Sequence, residues 1–255
     1  MAENFDSVDL TGARFRKVRL NDARLRMVDL SGVVMRDVSL AGASIDGSEI
    51  DGLRIDGVDV APLIEAELNR RYPARALRRA NDPAELRAAW AALEQAWAPA
   101  YERAAALPAG SVDVRVEDEW SFAQTVRHLI FATDGWLGAV QGSARPFHPW
   151  GEPFTELPEF IEQPVTELGI DPDATPSYAE VLAVRAERVA RVRDFLAAVS
   201  PQRLAEEVQG PVWEGGERLT VVRCLRVILN EECEHLRFAE RDLAVIDASG
   251  PAGVS

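Results

Sequence analysis

The chain has 255 residues and a formal net charge of −14, with 42 Asp and Glu against 28 Lys and Arg. That length allows one large domain or two, and so large an acidic excess excludes a nucleic-acid partner held through its phosphates, which needs a basic patch. No apolar run approaches the roughly 18 residues of a spanning helix and the N-terminus lacks a signal-peptide core, so no membrane partner and a cytoplasmic location are expected.

Residues 5–60 repeat with a period of five. Phe5, Leu10, Phe15, Leu20, Leu25, Leu30, Met35, Leu40, Ile45, Ile50, Ile55 and Val60 hold one phase without a break. Two positions earlier the residues are mostly small or β-branched, from Val8 and Ala13 through Ser48 to Leu53 and Val58. Five is neither a helical nor a strand period, so the stretch is a repeat architecture. It resembles the pentapeptide-repeat family, whose chains wind into a right-handed quadrilateral β-helix. The resemblance implies four repeats to a coil, hence about three coils over residues 1–60 with the large phase filling the axis. Some members of that family are acidic mimics of DNA. Here residues 1–60 carry eleven acidic and eight basic side chains, six of the basic ones in the first half, and this mixed surface speaks against mimicry. A docking or dimerisation module, giving a homodimer, fits better, because an uncovered β-helix end exposes strand edges.

Pro62 closes the repeat and helical signals follow. Asp82-Pro83-x-Glu85 supplies an N-cap, an N1 proline and an acidic third position, ahead of a face carrying Leu86, Trp90, Leu93 and Trp97. Ser121-x-x-Gln124 is a capping box opening a helix to about Val140, with Phe122, Val126, Leu129 and Leu137 as its apolar stripe. A Pro- and Gly-rich loop over roughly 142–175 is long enough to serve function. Ser177-x-x-Glu180 caps a helix to about Val199, and a last helix spans Thr220–Asp242. The fold class read from these signals is α+β by domains: a β-helix over 1–60, then an all-α four-helix bundle over 61–250.

The last helix carries the chemistry. At helical spacing Cys224, Val227, Ile228, Glu231, His235, Phe238, Ala239 and Asp242 share one face, which places a carboxylate and an imidazole in the middle of an apolar stripe. A buried ionised carboxylate needs compensation, which either an ordinary hydrogen bond to His235 or a divalent metal supplies. Cys224 and Cys233 lie roughly 13.5 Å apart along the helix, too far to bridge, so both are read as reduced thiols and Cys224 as a small core residue. His128, beside the stripe of the second bundle helix, completes a three-ligand set if the two helices are neighbours, and leaves a coordination position open. Gln124 is read as a capping residue before a supporting partner of the ligands, His148 as a loop histidine, and Arg241 and Asp242 as anchors of the helix end.

Residues 120–137 (WSFAQTVRHLIFATDGWL) and 229–243 (LNEECEHLRFAERDL) resemble the DinB-like superfamily of metal-binding four-helix bundles. Those proteins place one His in the second helix and a His-x-x-x-His pair in the last. Glu231 stands at the first position of that pair, a variant similar to the mycothiol-dependent maleylpyruvate isomerases. The resemblance assigns metal ligation to His128, Glu231 and His235, with zinc as the first expectation and nickel, iron or manganese as alternatives. It also implies a low-molecular-weight thiol as second cofactor and an unknown small-molecule substrate. One Lys against 27 Arg points to a high-GC bacterial source, where mycothiol would be the thiol. Because a repeat precedes the bundle and no substrate domain is expected after it, isomerase activity on maleylpyruvate is not carried over. The enzymatic expectation is a metal- and thiol-dependent transferase; the alternative is a non-catalytic metal-binding or interaction protein. No general base emerges.

Overall fold

Every fifth residue from Ser7 to Gly57 has a positive φ, so the backbone keeps the period of the sequence. Six of these eleven positions are glycine, which enters the left-handed region without steric cost; Ser7, Lys17, Asp22, Met27 and Asp37 take it as well. The computed structural model describes residues 4–47, 49–117, 119–143, 146–154, 157–161 and 163–249, so Ser48 of the small phase, parts of the 142–175 loop and residue 250 lie outside the described residues. The chain divides into two units, Met1–Glu49 and Ile50–Ser255.

In the first unit, turns recur every ten residues, closed by backbone bonds of Ala13 to Leu10, Ala23 to Leu20, Val33 to Leu30 and Ala43 to Leu40 at 2.9–3.1 Å. Asp9 and Asp29 brace two of them by accepting from the amides of Thr11 and Ser31 at 2.8 Å. The large phase was expected on the axis, but its side chains are exposed, Phe5 at 70% and Leu20 at 63%. The reason is local: no strand forms among the described residues 4–47, so no ladder of neighbouring strands lies over these side chains.

The second unit opens with a small hairpin of β1 (Arg54–Ile55) and β2 (Val58–Asp59). Helix α1 (Ala61–Arg71) and a 3-10 turn over Pro73–Arg79 lead to α2 (Pro83–Ala106), whose N-cap Asp82 accepts from the amides of Ala84 and Glu85. Helix α3 (Phe122–Gln141) starts at the Ser121–Gln124 capping box and stops at Gly142, which takes the left-handed conformation favoured there. The long connection after it contains the short α4 (Leu157–Phe160) and a 3-10 turn over Val165–Leu168. Helix α5 (Tyr178–Ala198) has the Ser177–Glu180 box, α6 (Pro201–Ala205) is short, and β3 (Glu207–Gln209) pairs antiparallel with β4 (Arg218–Thr220). The chain then enters the longest helix, α7 (Val221–Ser249).

Helix α3 packs on α7 and α5, and α2 packs on the same two. It is buried nearly all round because the connection after it covers the face that the other long helices leave open. There Phe131 packs with Leu157, Leu168 and Ile170. No helix among the described residues is long and apolar enough to cross a membrane.

The start of the unit is fastened by charge. Arg75 donates to Glu65 at 2.7 Å and to Glu234 of α7 at 3.0 Å, and Arg78 donates to Glu65 at 2.8 Å. Burial works against ionised Glu65, but the hydrogen bonds from Arg78 and Arg75 outweigh it and hold the carboxyl down at about 2. A carboxylate with a depressed pKa stabilises the fold above its unfolded value, and this contribution is lost as the pH falls towards the folded one. The stability difference between the parent and Glu65→Gln is therefore expected to be constant above about pH 5 and to shrink on acidification towards pH 2. Thermal melts of both proteins across that range measure it.

Candidate metal centre

Glu231 and His235 stand one turn apart on α7, and His235 Nε2 lies 3.2 Å from Glu231 Oε2. Packing of α3 against α7 brings His128 Nε2 to 3.3 Å from the same oxygen. One donor atom from each residue lies within 4.8 Å of the others. Ligand atoms about 2.0–2.1 Å from a shared ion at tetrahedral angles are separated by about 3.3 Å, so both His–Glu spacings suit a common cation.

The other nitrogen of His128 decides what the site can be. Its Nδ1 is 2.9 Å from the backbone carbonyl oxygen of Glu152. A carbonyl only accepts, so Nδ1 carries the hydrogen and, in the neutral ring, Nε2 presents its lone pair towards Glu231. Two electron-rich atoms then face one another over 3.3 Å. They need a cation between them or a second proton on the ring. A metal-ligating His commonly donates its other N–H to a carbonyl in this way.

Burial pushes the Glu231 carboxyl up, but the two imidazoles, donating to it when protonated, outweigh that and hold it below the usual carboxylate range; a cation in place of those protons would act in the same sense. Burial pushes His235 down, favouring the neutral, ligating imidazole. Trp120 covers the pair, its ring centroid 4.5 Å from that of His128 and 5.8 Å from that of His235, and stacked on the latter.

Glu231 was expected in the middle of the apolar stripe of α7; the structure puts Glu232 there. Glu232 is 2% exposed, among Leu225, Leu229 and Leu236, whereas the Glu231 side chain is 27% exposed at the stripe's edge. Rotation follows from the leucines left out of the expected stripe. Glu232 is compensated by Arg185 of α5, whose Nη2 donates to both its oxygens at 2.5 and 2.6 Å. Glu231, at the edge, faces a cavity of about 440 Å³ lined by the three candidate ligands, Ala132, and the rings of Trp120, Phe131, Trp136, Phe154 and Trp213.

Glu152 reaches His128 because its segment is pinned. Asp134 of α3, fully buried, accepts from Arg188 at 2.9 and 3.2 Å, from Arg191 at 3.1 Å and from the backbone amide of His148 at 2.9 Å. Arg127 donates to the carbonyl of Trp150 and pairs with the Glu152 carboxylate at 3.1 Å, while the Glu152 amide donates to the Arg127 carbonyl. His148 itself accepts on Nδ1 from the Trp150 amide and lies outside the cavity lining. Cys224 is fully buried in the core and burial pushes its thiol up to about 11, so it stays protonated at neutral pH. Arg241 and Asp242 pair with each other at 2.6 and 3.1 Å. Sequence reasoning missed Glu152, Trp120, Trp213 and the buried Arg185–Glu232 pair. Of these only Glu232 left a trace, as a second carboxylate at a core-facing register.

A family model described as the DinB superfamily matches residues 92–239, more than half of the chain. A second, for pentapeptide repeats, matches eight copies over residues 4–37. Neither a search of curated proteins nor one of solved structures finds a match.

Gln124 sits one turn before His128, yet its side chain accepts from the Ser121 amide at 3.1 Å while its own amide donates to the Ser121 hydroxyl at 3.2 Å. Gln124→Ala is therefore expected to lower stability by about 1 kcal/mol and leave metal affinity unchanged, as parallel denaturation and metal titrations would record.

Proposed function

The chain belongs to the DinB superfamily, and on that premise we propose that it binds one divalent cation through His128 Nε2, Glu231 Oε2 and His235 Nε2, inside a DinB-like four-helix bundle of α2, α3, α5 and α7. The observation that carries the reading is the lone pair of His128 turned towards Glu231 by the Glu152 carbonyl. Two imidazoles and a carboxylate fit zinc, nickel, iron or manganese. Three protein ligands leave a position open, which suits a working site better than a structural one. Partly exposed Glu231, His235 and Trp120 put that open side within reach of small molecules.

The activity we propose is transfer chemistry on a low-molecular-weight thiol of the mycothiol type. A bound divalent ion supplies what such chemistry needs, a thiol held as thiolate at neutral pH. The chain's own residues hold the cation, orient His128, and screen the site with Trp120. The cysteines of the chain take no part, since burial keeps the thiols of Cys224 and Cys233 protonated.

Substitution of the ligands tests the binding step. His235→Ala is expected to lower affinity for zinc by orders of magnitude while the protein stays folded on its apolar contacts. Glu231→Gln keeps the shape and removes the charge, so zinc binding should weaken markedly, whereas a plain hydrogen-bond cluster would suffer little. Elemental analysis and competition titration read both. Zinc binding by Glu231→Gln equal to the parent's would overturn the assignment. In the cobalt-substituted protein, mycothiol at millimolar concentration should produce a sulfur-to-metal charge-transfer band. Its absence would reduce the function to metal binding without thiol chemistry.

For the repeat we propose a quadrilateral β-helix, supported by the five-residue period of its backbone, serving as a docking or dimerisation module, supported by the apolar side chains that unit exposes. A chain beginning at Ala61 is expected to keep its helical circular dichroism and its metal site but change its oligomeric state on size exclusion. Loss of the helical signal would show that the two parts share one core.

A further inference from the structure

The cavity beside the triad is built of rings. Phe131 and Trp213 stack with centroids 5.1 Å apart, Trp136 and Phe154 meet Trp213 edge-on at 6.0 and 5.7 Å, and Trp120 closes the side nearest the histidines. These rings come from four separate segments, and two features show that their arrangement is specified. Trp213 stands in the 3-10 turn at the tip of the β3–β4 hairpin, whose base is tied by the Val221 amide donating to Glu206. Opposite it, α3 carries Gly135 in mid-helix, where glycine costs about 1 kcal/mol relative to alanine. A Cβ there would stand 2.4 Å from the Trp213 ring, so the helix gives up propensity to seat the indole.

Charge defines what the cavity can take. Among the described residues no Lys or Arg lines it. The nearby arginines are committed to carboxylates: Arg127 to Glu152, Arg185 to Glu232, Arg188 to Asp134. Among the described residues the charged or ionisable lining is limited to His128, Glu231 and His235, already engaged with one another. A phosphate, a dicarboxylate or a heavily hydroxylated body would lose its water and find little in return, whereas a flat apolar group would bury its faces against rings. The volume, about 440 Å³, lies within the ordinary range of small-molecule sites, and Trp120, Phe154 and Trp213 are partly exposed, so it can be entered.

We propose that this cavity binds the uncharged, planar apolar portion of a substrate, aromatic or polyunsaturated, with the reacting end towards His128, Glu231 and His235. The proposal rests on the metal-site reading for its orientation but not for the binding itself. Trp213 is the specificity-determining residue: it alone touches Phe131, Trp136 and Phe154 among the lining rings.

Calorimetric titration of the full chain, stripped of metal by chelator, tests it with 2-naphthol and with naphthalene-2-sulfonate, the same rings carrying a charge. The neutral probe is expected to bind at least about tenfold more tightly than the sulfonate, and Trp213→Ala to weaken it by about tenfold while Trp213→Phe restores most of the affinity. Melting curves check that both variants fold. Ala132→Leu, which fills the cavity without touching Trp213's hairpin, should also reduce naphthol binding and serves if Trp213→Ala does not fold. Equal binding of the two probes, no binding of naphthol, or unchanged naphthol affinity in folded Trp213→Ala or Ala132→Leu would overturn the proposal and leave the rings as core packing. Cobalt uptake by the same preparation, measured separately, reports on the metal reading. A protein that binds naphthol but no cobalt keeps the cavity and loses the metal; the reverse result does the opposite.

Discussion

A single backbone carbonyl sets which nitrogen of His128 faces Glu231. Because Glu152 occupies Nδ1 of His128, the neutral ring has one choice of tautomer, and its lone pair points at a carboxylate that a second imidazole also contacts. Most of the surrounding structure serves that contact. Asp134 and Arg127 of α3 hold the segment that carries Glu152, Arg188 and Arg191 hold Asp134, and α5, which carries both of those arginines, must pack on α3 for the chain of contacts to close. Breaking the buried Arg188–Asp134 pair would therefore reach His128 at a distance, since Asp134 would be left to Arg191 and the His148 amide and the segment it holds would be less firmly placed.

What could be read in the sequence is what is determined locally. The caps at Asp82, Ser121 and Ser177 depend on residues three positions apart, and all three form with the expected partners. The five-residue period is local too, and it reappears in the backbone as a positive φ at every fifth residue. Glu231 and His235 share a side because four residues make about one turn, whatever surrounds them. His128 is different: its spacing to Glu231 is over a hundred residues, and only the family resemblance proposed the pairing that the packing of α3 on α7 now brings within 3.3 Å.

What could not be read is what lies far apart in the chain or resides in the backbone. Every residue has a carbonyl, so nothing in the identity of Glu152 announces that its oxygen orients a histidine. Trp120 comes from the connection before α3 and Trp213 from the one before α7, and they meet the site only in three dimensions. Gly135 stands inside a well-capped helix, and the adjacent Trp213 ring, which a Cβ there would meet at 2.4 Å, is the physical reason for it. The large phase of the repeat shows the opposite failure. Its pattern is unmistakable, but whether its side chains are covered depends on strand pairing, and among the described residues of that unit no strand forms.

The neighbouring carboxylates of α7 show how rotation of one helix separates structure from chemistry. Successive residues differ by about 100° around the axis, so Glu231 and Glu232 cannot face the same environment. Glu232 points into the core, where only a matched charge makes an ionised carboxylate tolerable, and Arg185 supplies it through both oxygens. Turning α7 by one residue would bury Glu231 opposite Arg185 but carry His235 away from His128 and expose the leucines at 225, 229 and 236. The ion pair and the leucines thus agree on a single rotation, and in that rotation Glu231 and His235 fall at the boundary between the packed core and the ring-lined cavity. A carboxylate and imidazole at such a boundary are desolvated enough to grip a cation and open enough for something else to reach it.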